Sequence, residues 1–462
     1  MNAVAAYLRS LRPQLPRAVW LLEAGGVANA VGNGIVLPFL IIYLHEVRGF
    51  DLEASGLVVA ALFGVGLVSG PIGGHLVDRI GARATLLASL AMLAAGYGGF
   101  PFVRDSWQAF GLAILAGAGN GGFAPSHSSV LAALTSREQR NVAYALHRAT
   151  DNLGYGVGGL VGGLIATTSV PESFTVLFAL DAGTFVAFML LLAFVPAPAR
   201  ASEPRAVPGR YADVAHDRAY IWLLALIAVL VAAGYAQIST VLPPYVKEHA
   251  GVSELGIGIV FFANTVVIVL AQLPVAKALE GRRRLGALAF AAATFAATCA
   301  AVLGVGLWLA GTTAVIALCG AIAVFSVGEC VHGAVQNPLV ADLAPEHLLG
   351  RYMALRSSAW QVGFLVGPAV GALLLEHSAS GLWLTAAGAC GLTALGFLLL
   401  ERRLPAEATR TPGPAWVARK AFRVKWRTLP MRIDDPLSTG AQPASHQATE
   451  ASHARGGRRP TA

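Results

Sequence analysis

Apolar positions along this chain fall in long continuous runs, with no strand-like alternation. A helix needs about 20 mostly apolar residues to cross a bilayer core. Twelve runs meet that length, at 18–44, 52–77, 84–103, 107–134, 141–167, 172–196, 219–245, 254–279, 285–307, 310–340, 350–376 and 381–401. Several exceed the minimum, so their ends project past the hydrocarbon or the helices tilt. The pattern predicts an all-α polytopic membrane protein with twelve transmembrane helices. Composition agrees: 13% of residues are charged and 56% hydrophobic, where a soluble domain carries about 25% charge.

Two polar stretches interrupt the pattern. Residues 197–218 are Pro-rich and charged and read as a linker. Residues 402–462 are rich in Arg, Pro, Ala and Thr and read as a basic, mostly disordered tail. Within it, Trp416 to Trp426 alternates basic and bulky residues, as suits an anionic leaflet; a solvated tail without a role is the alternative. The expected organisation is a lead at 1–18, a six-helix half at 19–196, the linker, a second half at 219–401 and the tail. The lead holds Arg9, Arg12 and Arg17, and the apolar run after it is too long for a signal-peptide core.

Charge sets the orientation. With the N-terminus inside, sixteen Lys and Arg before residue 402 fall on the cytoplasmic side, including Arg79, Arg83, Arg137, Arg140 and Arg282 to Arg284, against three outside, Arg48, Arg104 and Lys247. That bias places both termini in the cytoplasm. It also explains the net charge of +8 without nucleic acid. The four cysteines all lie within apolar runs at no metal-ligand spacing and read as small buried hydrophobes.

The halves repeat. At an offset of 209, residues 145–165 and 354–374 share eight identities, among them Gly154/Gly363, Gly158/Gly367 and Gly162/Gly371. Val36-Leu37-Pro38 recurs as Val241-Leu242-Pro243. Two similar halves imply a pseudo-symmetric bundle with a site at their interface.

Between the second and third spans runs Gly70-Pro-Ile-Gly-Gly74-His-Leu76-Val-Asp78-Arg79-Ile-Gly81-Ala-Arg83-Ala-Thr-Leu86. Gly81 permits a sharp reversal, Gly73 and Gly74 suit a close helix approach, and Asp78, Arg79 and Arg83 mark the water boundary. The stretch resembles the G-x-L-x-D-R-x-G-[RK]-[RK]-x-x-L signature of the major facilitator superfamily, with Ala82 replacing one basic position. The resemblance covers about 19–401 and implies alternating access, with Gly74, Asp78, Arg79, Gly81 and Arg83 forming an inner-gate latch. In the second half, Lys277, Gly281 and Arg282 to Arg284 occupy the equivalent place without the Asp.

Ionisable groups within spans are costly and tend to face a cavity or a partner. Arg148, Asp151, Glu329 and Asp181 are the candidates for proton coupling or charge switching. Arg148 and Asp151, three apart, are placed to pair, as a moving gate pair or as a fixed structural one. Glu329 lies near mid-span with His332 one turn on, where a carboxylate suits proton exchange; a hydrogen-bonded contact with the adjacent span is the alternative. Asp181 stands alone among apolar residues, in a span usually peripheral to the cavity in the family resembled. Glu23 is expected to snorkel to the inner surface. Candidate cavity-lining groups are Asn29, Asn33, Asn120, Asn264, His332, Trp360 and Gln361; helix-to-helix hydrogen bonding is the alternative for each. Gly154, Gly158, Gly162, Gly363, Gly367, Pro368 and Gly371 are helix-packing positions. They resemble the glycine-rich antiporter run of the family, whose Gly-Pro pair survives only in the second half. The family's fourth-span Arg is absent from Phe110 to Asn120.

There is no phosphate-binding Gly-Lys-[Ser/Thr] loop, no paired-His zinc motif and no extramembrane domain able to hold a catalytic core. Neither an enzyme nor a cofactor is expected. The reading is a plasma-membrane secondary transporter that exports a small organic compound, drug-like or metabolite, in exchange for protons, a monomer sufficing. The alternatives are a nutrient importer or uniporter of the same superfamily and a non-transporting receptor or scaffold.

Overall fold

The computed structural model of the chain describes residues 15–196, 211–345, 348–404 and 409. The expected linker up to residue 210 and nearly all of the expected tail lie outside the described residues. Helix dominates, and no strand occurs among the described residues. The helices used below are α1 (Arg17–Val47), α2 (Leu52–Ile80), α3 (Ala82–Phe102), α4 (Ser106–Leu134), α5 (Arg137–Ile165), α6 (Glu172–Ala193), α7 (Arg218–Ala250), α8 (Glu254–Ala278), α9 (Arg284–Trp308), α10 (Gly311–Leu343), α11 (Leu349–His377) and α12 (Ala379–Glu401). Ten of them are long and apolar enough to cross a membrane. The two outside that set, α4 and α5, are each 29 residues long. Gly, Ser, Asn and His lower the hydropathy of α4, and charged residues such as Arg148 and Asp151 lower that of α5.

Local chemistry sets the boundaries. Helix α5 starts at Arg137, earlier than the apolar run, because Ser136 and Gln139 form a reciprocal cap: the Gln139 amide donates to Ser136 Oγ (3.4 Å), and the Ser136 amide donates to Gln139 Oε1 (3.2 Å). This satisfies two otherwise orphaned N–H groups. Asp105 and Gln108 do the same for α4. Gly81 ends α2 at a φ of +98°, where a side chain would be strained. Helices α1 and α7 are not regular throughout. Turns widen over Tyr43–Val47 in α1 and over Val231–Tyr235 and Gln237–Val241 in α7, and both helices are interrupted beside the repeated Val-Leu-Pro.

Packing repeats with a shift of six helices. α1 packs on α5 as α7 packs on α11, α2 on α4 as α8 on α10, and α3 on α6 as α9 on α12. The two sets meet through α2 against α11 and α5 against α8. Small residues permit these approaches. A Cβ on Gly154 would lie 2.6 Å from Ala30 Cβ, and one on Gly162 would lie 2.6 Å from the Ile35 carbonyl. Gly158 is pressed against Val31 and Gly34 of α1; Gly363, Gly367 and Gly371 face α7. In α2, Gly73 meets Gly122 of α4, with a Cβ clearance of 2.6 Å. Gly74 departs from the expected close approach, since a methyl there would meet nothing within 4 Å.

Candidate transport cavity

A cavity of about 370 Å3 lies between the two helix sets. Its walls come from α1, α2, α5, α7, α8, α10 and α11. Seven aromatic residues line it, Phe63, Tyr155, Tyr235, Phe261, Phe325, Trp360 and Phe364. Helical spacing aligns them, as Phe325 precedes Glu329 by four residues and Trp360 precedes Phe364 by four. Among the described lining residues, Glu329 alone carries a charge.

Glu329 is held from α8. Asn264 Nδ2 donates to Ser326 Oγ (2.8 Å) and to Glu329 Oε2 (3.2 Å). Ser326 spends its own proton on the Ile322 carbonyl at 2.7 Å. The amide therefore fixes the carboxylate without supplying charge. Arg148 reaches over from α5 and acts electrostatically on Glu329. Its Nη2 fills the space beside Gly333, one turn along α10, where a Cβ would stand 2.5 Å away. A second layer braces the wall. Tyr235 Oη and His332 Nδ1 share a hydrogen bond of 3.1 Å, and Trp360 Nε1 donates to Gln336 Oε1 at 3.2 Å.

One end of the interface is tied by charge. Lys247 Nζ at the end of α7 lies 2.5 Å from Glu46 of α1, 3.1 Å from Glu254 of α8, and 2.6 Å from Thr168 Oγ1 after α5. Beside it, the Glu53 amide of α2 donates to Glu376 of α11 at 3.0 Å. From that end, close approaches between the halves continue through Gly163 with Gly258, and reach Gly156 with Thr265 and Gly66 with Gln361 near the cavity.

The residues singled out from sequence divide. Asn264, Glu329, Trp360 and Gln361 line the cavity, and Asn152 and Tyr155 join them. Asn29, Asn33, Asn120 and His332 are not among its lining residues; Asn33 Nδ2 donates to Asn29 Oδ1 at 3.2 Å, within α1. Asp181 is fully buried against Gly32 of α1, outside the cavity. Asp151 does not pair with Arg148: its carboxylate faces His147 Nε2 at 3.8 Å while Arg148 extends to α10. Glu23 does not snorkel; it is 2% exposed and lies 3.2 Å from His147 Nδ1. Sequence reasoning missed Tyr235, Ser239 and the phenylalanines, since an aromatic in an apolar run looks the same facing lipid or cavity. A phenol at mid-span in α7 was the one available signal.

The hairpins at the other end form a pair. Arg83 Nη2, at the start of α3, donates to the Ala193 carbonyl closing α6 at 3.3 Å. Arg283, at the start of α9, makes two bonds of 2.7 and 2.8 Å to Glu401 closing α12. The bonds to that carboxylate hold the Arg283 pKa above its ordinary value. Asp78 and Arg79 lie exposed on the last turn of α2.

The model of the Major Facilitator Superfamily matches residues 23–300 and again 224–433. The chain belongs to the Major Facilitator Superfamily. Curated relatives agree with this membership. The MFS-type transporter YqjV of Bacillus subtilis is 24% identical over 374 residues, covering 78% of this chain and 87% of the relative. The multidrug resistance protein MdtH of Aeromonas salmonicida is 25% identical over 366 residues, covering 78% and 88%. Among solved structures, a peptide transporter POT in complex with sulfate superposes with a TM-score of 0.72 at 16% identity, over 86% of this chain and 96% of that one. A POT family transporter in complex with 5-aminolevulinic acid gives 0.70 at 13% identity, over 85% and 99%. At such identities these structures speak to fold alone. This member of the superfamily is a multi-pass membrane transporter, not an enzyme.

Proposed function

We propose that this transporter exports small, moderately apolar organic compounds, neutral or cationic, in exchange for protons across the plasma membrane, with both termini cytoplasmic. The observation that carries the reading is the cavity itself: an aromatic chamber with one carboxylate, Glu329, held by a neutral amide. Aromatic faces attract apolar groups and cations with little directional demand. A single carboxylate can bind either a proton or a cationic substrate, which is the exclusivity that exchange requires. Arg148, whose charge acts on Glu329 from the opposite half, makes the charge state of that carboxylate matter to how the halves meet. Each ligand shifts the inward–outward balance only by its differential affinity for the two states. The multidrug resistance relatives add support for this substrate class.

In this reading Lys247 and its carboxylate partners close the outer end. Asp78, Arg79 and Arg83 act at the inner end, and Asp78→Asn slows transport while membrane insertion is retained; transport at the wild-type rate would remove the latch role.

The test is accumulation of fluorescent lipophilic cations in efflux-deficient cells expressing the protein, with and without a protonophore. Lower accumulation that the protonophore reverses is expected. No change across a chemically broad panel, together with uptake of a metabolite, would favour the importer reading, to which the missing fourth-span Arg also points.

A further inference from the structure

Outside the cavity, three side chains from three helices of the first half converge. Glu23 of α1, His127 of α4 and His147 of α5 each present one donor atom, and these atoms lie within 4.8 Å of one another. His127 is 1% exposed and Glu23 2% exposed. Neither ring nitrogen of His127 has a hydrogen-bond partner, nor does Glu23 Oε1. Buried polar atoms are rarely left so. The two imidazoles stack with centroids 4.3 Å apart, and Phe123 packs on His127 from the other side at 5.6 Å.

The space they face is kept open by a glycine. A Cβ on Gly26, one turn along α1 from Glu23, would lie 3.7 Å from His127 Nε2 and 3.8 Å from His147 Nδ1. Charge points the same way. Glu23 has a hydroxyl and an imidazole for company, with Thr150 Oγ1 at 3.5 Å and His147 Nδ1 at 3.2 Å. Among the described residues no Lys or Arg lies within ion-pair distance of it. Asp151, 3.8 Å beyond His147, brings a second carboxylate. As metal ligands the two imidazoles would be neutral, and the nearby carboxylates would supply the negative charge that a divalent cation balances. Imidazole nitrogen with carboxylate oxygen is a donor set that suits zinc and its first-row neighbours. His147 is partly exposed, 21% at the side chain, and offers a route of entry.

We propose that Glu23, His127 and His147 bind a divalent first-row transition-metal ion, of which zinc is representative, at a site inside the first half and distinct from the Glu329 cavity. The ion ties α1, α4 and α5 together. The donors are spread over three helices, so no spacing in the sequence displays them.

The test uses purified full-length protein treated with a chelator and titrated with Co2+ as the spectroscopic probe, then with Zn2+ in competition. Wild type is expected to show visible absorption bands of Co2+ in a low-symmetry nitrogen–oxygen site, bleached by Zn2+, and a higher melting temperature with Zn2+ than with chelator. Removal of second-layer partners weakens metal sites about ten- to a hundredfold, so His127→Gln, which removes a ligand, should weaken binding by about tenfold or more. Gly26→Val keeps all three donors but fills the space, and should abolish the bands. Glu329→Gln should leave them intact. If His127→Gln does not fold, Gly26→Val decides, since its ligands are complete. Absence of bands in wild type with no Zn2+-dependent melting shift overturns the proposal and favours a proton shared between Glu23 and His147. Bands that survive in both His127→Gln and Gly26→Val also overturn it.

Discussion

Glu329 and Asp181 are both carboxylates within apolar helices, and the two have opposite surroundings. Glu329 faces the cavity, accepts a hydrogen bond from Asn264, and lies within electrostatic reach of Arg148 from the other half. Asp181 is 0% exposed, both its oxygens lack a hydrogen-bond partner, and it packs on Gly32 within its own half. The first is placed where its charge can register substrate and the relation of the two halves. The second has no hydrogen-bond donor on either carboxylate oxygen among the described residues and lies outside the cavity. Burial alone therefore does not separate the two carboxylates; what their oxygens meet does.

The sharpest way to break this contrast is Glu329→Gln. Loss of a charge-assisted contact costs roughly 1.5–3 kcal/mol, about ten- to a hundredfold in affinity for a cationic substrate. Binding of lipophilic cations to purified protein should fall by that factor, and the pH dependence of transport should flatten. Next in size is Lys247→Met, which removes the cation joining Glu46 to Glu254 and leaves two carboxylates to repel. The tied end should open, increasing maleimide labelling of a cysteine placed at Ser239 in the cavity from that side; unchanged labelling would deny Lys247 a closing role. Asn264→Ala follows. It leaves Glu329 in place but removes the amide that donates to its carboxylate and to Ser326, and at roughly 1.5 kcal/mol, the low end for a hydrogen bond to a charged group, it should shift substrate affinity by up to about tenfold without abolishing coupling. Asp181→Asn should have the smallest effect, with transport near the wild-type rate and a melting temperature unchanged or slightly raised. A transport defect equal to that of Glu329→Gln would erase the contrast.

Much of the architecture is legible in the sequence because its physics is one-dimensional. Apolar run length reports membrane crossing, and the glycines repeated at an offset of 209 recur on α5 and α11. Both sets pack on the equivalent helix, α1 or α7. Boundaries drift where side chains intervene, as at Ser136 and Gln139. The site is less legible. Glu329, Asn264 and Trp360 stand out as polar or amphipathic groups in apolar runs, yet the phenylalanines of the cavity wall do not. Partner choice is harder still. Arg148 and Asp151 share a helical face, so sequence pairs them. The long Arg148 side chain instead crosses to Gly333, and the short Asp151 turns to His147. The Arg148 contact depends on how α5 meets α10, which no local spacing encodes, whereas His147 and Asp151 stand four apart on the same helix. Likewise Glu23 is near enough to the chain's basic lead to suggest snorkelling, until α4 and α5 enclose it.

The account rests on Glu329 coupling substrate to protons, and reconstituted protein tests this most directly. Proteoliposomes holding wild type, Glu329→Gln or Asp181→Asn are given an imposed pH gradient, and gradient-driven movement of a fluorescent lipophilic cation is compared with downhill exchange. Wild type and Asp181→Asn should concentrate the cation against its gradient, while Glu329→Gln should not. Concentration by Glu329→Gln equal to wild type would contradict the account.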